Sequence, residues 1–200
     1  MGFFGLFESK EEKEKKEIIE IFKKINRFLN DDDMQNNGLP PLFRHMYSPQ
    51  RINMIPGGTG EFGRNPNNPI PVNGPIGEVT YLSKLLVEGT NEKVFFHRLG
   101  SCKGHIDIYE LFSHSGNFND ELYLDMYFLH KSQFMPRGYV FQNEVTGIRG
   151  INSFCEDLPN QFYDDLVQFT KTRIGFPAFD PDAKSIRFER SSNILNKRNK

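Results

Sequence analysis

Five prolines fall within one short span of this chain, at Pro56, Pro66, Pro69, Pro71 and Pro75. Each lacks a backbone donor and pushes the residue before it toward extended geometry. A long helix across 57–77 is therefore excluded. Gly57, Gly58, Gly60, Gly63, Gly74 and Gly77 add turns to the same span. Ile55, Phe62, Ile70, Val72 and Ile76 recur through it, so its composition is not that of a free linker. The stretch 55–77 reads as a long loop pinned to the body by its apolar side chains, a feature often tied to function. Its outward polar and aromatic residues Glu61, Phe62, Arg64, Asn68 and Asn73 are the expected recognition surface.

The loop separates two kinds of pattern. Before it, Ser9 and Glu12 form a capping box, in which hydroxyl and carboxylate each satisfy a free amide of the first turn. Ile18, Ile21, Phe22, Ile25, Phe28 and Leu29 then repeat at helical spacing, predicting a helix over 10–29. Asn30 and Asp31 to Asp33 are expected to end it. The segment 30–41 reads as a linker, so residues 1–37 stand as an N-terminal helix and connector. After the loop, 79–87 and 93–99 read as strands joined by a turn at 88–92. A second pair, 105–112 and 121–130, follows across the polar turn 113–120, and 139–143 adds a further strand. Pro159 beside Asp157 marks the start of a C-terminal helix with Phe162, Leu166, Phe169 and Ile174 as its buried stripe.

The fold class that follows is α+β. An antiparallel sheet of two or more hairpins is packed by the C-terminal helix, with the amphipathic N-terminal helix docked on it or extended as an arm. Residues 38–183 form the domain, and 184–200 form a basic, disordered tail. Twenty phenylalanines and no tryptophan mean that phenyl rings supply much of the burial, within a 37% apolar share.

Charge narrows the function classes. With 25 basic and 26 acidic residues the formal net charge is -1, which argues against wholesale binding of nucleic acid. The tail is the one stretch where phosphate contact is conceivable. Two cysteines, Cys102 and Cys155, suit a reducing compartment better than a disulfide scaffold. No integral membrane segment and no secretory signal is read, and the chain is expected to be cytoplasmic. The apolar lead Phe3, Phe4, Leu6 and Phe7 reads as a short segment folded onto the domain or a neighbouring copy, with a membrane-surface foot or partner-binding hook as the alternative.

Gly58, Gly60 and Gly63 match G-x-G-x-x-G, the pattern of dinucleotide turns. Pyrophosphate in such a turn rests on a helix N-terminus, and Pro66 and the prolines after it forbid that helix. The same letters resemble the glycine-rich loop of protein kinases, and His97-Arg98-Leu99 resembles the start of their catalytic loop. Leu99 stands where an aspartate is required, and no D-F-G follows. Arg64 and Asn65 replace the lysine and hydroxyl of a Walker loop. No cofactor is expected.

Cys102 and His105, with His97 or His114 as a third donor, supply the residue types for zinc, although only one half-pair of ligands is present. Cys102 with His97 or His114 is the alternative as a nucleophile and base, with Lys103 and Arg98 to favour the thiolate. The acids Asp107, Glu110, Glu121 and Asp125 read as solvated strand residues. No family resemblance carries a function. The reading that results is a non-enzymatic protein-binding or regulatory module acting through 55–77, its partner another protein or a second copy of itself. The alternative is a small enzyme or metal-dependent hydrolase built on Cys102, His97 and His105.

Overall fold

The computed structural model describes residues 9–39, 41–153 and 160–183, with side chains omitted at 42, 43 and 160–164. The apolar lead, Cys155, the Asp157–Pro159 helix start and the basic tail lie outside the described residues. Helix α1 spans Lys10–Asn30, and its capping box is formed, Ser9 and Glu12 exchanging hydrogen bonds. Its C-terminal half enters the core through Ile25 and Leu29, whereas Ile18 and Ile19 remain exposed.

The acidic run does more than stop α1. Asp31 caps a second helix, α2, over Asp32–Asn37, accepting from the Met34 amide at 3.0 Å. An aspartate before two further acids is a helix N-terminus signal, so the expected linker is partly helical. Asn30 fixes the junction by bonding the backbone of Val145 in both directions.

The larger correction falls on 79–83. These residues, expected to be strand, lie in helix α3, Gly74–Ser83. Pro75 in the first turn suits the start, and Asn73 stands at the cap position without a side-chain bond to the helix. Eight of its ten residues are buried, Val79, Tyr81 and Leu82 among them. A helix covered nearly all round has no polar face, so its sequence lacks the 3.6-residue alternation and its β-branched residues imitate a strand.

The main sheet runs β1 (Ile70–Pro71), β5 (Asn119–Asp125), β4 (Ile106–Ser113), β3 (Val94–Cys102) in spatial order. All pairs are antiparallel except β1 with β5. The β4–β5 hairpin forms as expected from the polar turn. β3 and β4 form another through Lys103 and Gly104, both with positive φ (50° and 80°), the geometry of a primed turn. The strand expected at 79–87 survives only as β2 (Leu85–Val87), which pairs with β6 (Tyr139–Phe141) in a separate ribbon and makes one bridge, Leu86 to Lys93, just ahead of β3. Helix α3 is thus the helix against the main sheet, and Val79 and Leu82 pack into one core with Phe96, Leu111, Leu122 and Leu124. The C-terminal helix α4, Asn160–Ile174, has α1 as its principal neighbour. No helix among the described residues is long and apolar enough to cross a membrane.

Candidate functional site

The stretch expected as one loop over 55–77 is shorter: 55–69 is a chain of turns closed by its own backbone, with Thr59 donating to Asn67 and Gly63 to Asn68, whereas Ile70–Pro71 form β1 and 74–77 open α3. Its far end joins the sheet: Gly63 accepts from the Tyr123 amide, β1 pairs with β5, and Val72 donates to Asp125. The polar residues expected to face a partner serve this closure. Asn68 is buried and donates to the Gly60 carbonyl at 3.0 Å. Asn73 is buried and reaches Gln35 of α2 at 3.0 Å. Arg64 forks onto Asp120 at 2.7–3.1 Å, with further bonds to Glu61 and the Arg137 carbonyl. Phe62 packs against the core and only Glu61 is largely exposed. The long side chains of this loop therefore hold it shut and leave little to present.

The cysteine and histidines do not converge. His97 lies opposite Glu110, bonds it at 2.9 Å and stacks on Phe112. Cys102 lies opposite Ile106, four residues along β4 from Glu110, which is about 13 Å of extended chain. His105 sits in the turn, with Nδ1 on the Lys103 carbonyl and Nε2 3.8 Å from Asp125. His114 packs beside Phe95. Among the described residues no three side chains of His, Cys, Asp or Glu are grouped to hold a metal.

What the fold does bring together is a buried carboxyl pair. Glu78 of α3 is 1% exposed and accepts from the Tyr109 hydroxyl at 3.0 Å. Asp107 touches it within hydrogen-bonding reach and receives the Arg98 guanidinium at 2.9 Å. Burial and then the Asp107 charge hold the Glu78 carboxyl well above its ordinary range. Glu78 Oε1 has no donor aimed at it. Two carboxylates in contact can only accept, so both the contact and the orphan oxygen are satisfied once Glu78 carries a proton. The register shift between Arg98 and Gly100 leaves Leu99 unpaired and 49% exposed beside this network. Enclosed against the core, the pair is suited to hold a proton.

The open apolar feature lies between the two long helices. Ile21, Ile25 and Phe28 of α1 face Leu166 and Phe169 of α4 across a groove of about 440 Å³. Glu17, Glu20, Lys24 and Arg173 rim it, and Arg173 pairs with Glu17 at 3.2 Å. Leu166, Phe169 and Arg173 also line a second concavity of about 790 Å³ along α4, so Phe169 stands between the two. Its ring is 46% exposed although the spacing predicted burial. The stripe of α4 is wider than α1 covers, and periodicity alone cannot report how much of a stripe a neighbour takes up. Glu78 also escaped the sequence reading. Its signal was a lone acid between Ile76 and Val79 in an otherwise apolar run.

Comparison with known proteins adds nothing to this geometry: no family model, no curated protein and no solved structure matches the chain.

Proposed function

We propose that the chain is a non-enzymatic protein-binding module whose docking surface is the groove between α1 and α4, and that its partner offers an apolar helical face. The observation that carries this reading is Phe169, a half-exposed ring between two concavities, with Leu166, Ile21 and Phe28 in the floor and charges confined to the rim. An amphipathic helix laid in such a groove buries apolar anchors at i, i+3, i+4 and i+7 while its polar flank meets the rim. The mixed rim, two acids and two bases, favours a partner of mixed charge over a polyanion. The loop keeps a part in this reading as the frame that fixes the body, since its arginine and asparagines are engaged internally.

The test compares Phe169→Asp with Phe134→Asp, a ring of similar exposure (50%) that does not line the groove. Both variants are checked for native circular dichroism. Tagged chain is then used for quantitative capture from its native cells, and sedimentation velocity reports self-association. Loss of a specific partner, or of a dimer, in Phe169→Asp alone supports the groove. Equal recovery in all three proteins, or equal loss in both variants, removes it.

A further inference from the structure

Away from the groove, a polar cleft of about 320 Å³ opens where α1 meets α2, walled by residues of the 127–134 segment and by Lys84 at the end of α3. Its floor is a built ion pair. The Lys131 side chain is 9% exposed, and its ammonium holds Asp32 Oδ1 at 2.5 Å and Gln35 Oε1 at 2.8 Å. Asp32 Oδ2 accepts from the Lys131 amide and lies 3.7 Å from His130. Gln35 is fixed from the other side by Asn73, so the floor is locked to the loop. Asp31 is committed as well, to the Met34 amide and to Arg27.

Two cations are left over. Arg51 and Lys84 both line the cleft, and among the described residues neither has a carboxylate partner. Lys84 rests over the Phe141 ring, 5.6 Å from its centroid. It is also close enough to Lys131 for their repulsion to add to burial in holding the Lys131 ammonium below its ordinary range. A compact anion between Arg51 and Lys84 would satisfy both and relieve that repulsion. Asp33, exposed at the rim, repels an extended polyanion such as a nucleic-acid backbone but leaves room for one small group.

We propose that this cleft binds a small molecule through one oxyanion, a carboxylate or a phosphate group, gripped by the Arg51 fork and the Lys84 ammonium above the Lys131–Asp32 pair. The planar guanidinium matches either anion in a two-bonded contact, and the lysine adds a point charge. The cleft volume is at the small end of the range for metabolite sites.

Thermal unfolding of the full chain in inorganic phosphate and in acetate, each at ionic strength matched with sodium chloride, tests the proposal and separates the two oxyanions. A saturable rise in Tm is expected with one of them. The double variant Arg51→Gln/Lys84→Gln should weaken the apparent affinity at least about tenfold. Lys15→Gln/Lys23→Gln, which removes the same charge from the exposed face of α1, should not. Backbone amide shifts in the unaltered protein provide a second reading independent of any variant, and these should move at Asp32, Arg51 and Lys84. No saturable rise with either anion overturns the proposal, as does a linear drift shared by all three proteins. Amide shifts confined to other residues overturn it too.

Discussion

Replacing Glu78 with glutamine should change the pH dependence of stability more than stability itself. Glutamine has the shape of a protonated glutamic acid: its carbonyl can accept from Tyr109 and its amide can donate to Asp107. The folded protein holds the Glu78 proton far above the ordinary carboxyl range, by burial and by the Asp107 charge. In the unfolded chain the same group titrates near pH 4.3. Above that value the unfolded state has lost the proton and the folded state has kept it, so the contribution of Glu78 to stability falls as pH rises, until the folded group itself ionises. Wherever the folded group keeps its proton and the unfolded one has lost it, the slope is about 1.4 kcal/mol per pH unit. Urea unfolding of the wild type and Glu78→Gln at pH 5, 6 and 7 measures it, provided the m values agree. Taking the difference cancels other groups, among them Asp125, which burial also raises. The variant should gain on the wild type by that slope at each step. Parallel curves would mean that Glu78 is ionised in the fold and that the proton-sharing account is wrong.

Two further substitutions test the loop as a frame. A β-carbon at Gly63, where φ is +76°, would meet Pro136 at 2.8 Å and Ile70 at 3.0 Å, whereas at Gly89, with φ of +84°, it would meet nothing. Gly63→Ala should therefore cost about 2–4 kcal/mol and Gly89→Ala only about 1–2, read from urea midpoints. Truncating Arg64 to methionine strands Asp120, a side chain 13% exposed that also receives the Tyr139 hydroxyl. A loss of about 2–3 kcal/mol is expected, below the full cost of breaking a buried pair because Arg64 itself is 22% exposed. A change under half of that would show that water replaces the guanidinium.

Local signals in the sequence were readable where one residue type has one physical use. The Ser9–Glu12 box and the repeat from Ile18 to Leu29 placed α1, because a half-exposed helix must alternate. The prolines of 55–77 excluded a long helix across that stretch for the same direct reason, and α3 begins only at its end, at Gly74. Residues 79–83 failed because burial on all sides erases alternation, and Val79, Thr80 and Tyr81 each fit a strand equally well. The decisive evidence lay four to six positions upstream, at Asn73-Gly74-Pro75, where the helix begins. Cys102 to His105 offered ligand chemistry and also a hairpin turn, and the positive φ of Lys103 and Gly104 shows which use the backbone makes of it. Glu78 with Asp107 was beyond sequence reach, since the pairing joins a helix to a strand 29 positions later and depends on how α3 lies on the sheet. The α1–α4 groove is of the same kind: both stripes were visible, and the uncovered remainder was not.

The seating of the loop along β5 also bears on how this protein avoids misassociation. A strand at the limit of a sheet offers unpaired amides to any extended chain it meets. Here that limit is occupied by Gly63, which takes the Tyr123 amide, and by Ile70 and Pro71. Pro69 and Pro71 bracket Ile70 in the covering segment and have no N–H to pass outward, so another strand finds no continuous ladder to extend there. Loosening the loop, as Gly63→Ala is designed to do, would uncover the β5 amides before it unfolded the core. The first symptom of damage there would be aggregation by strand addition, at temperatures where the helices are still intact.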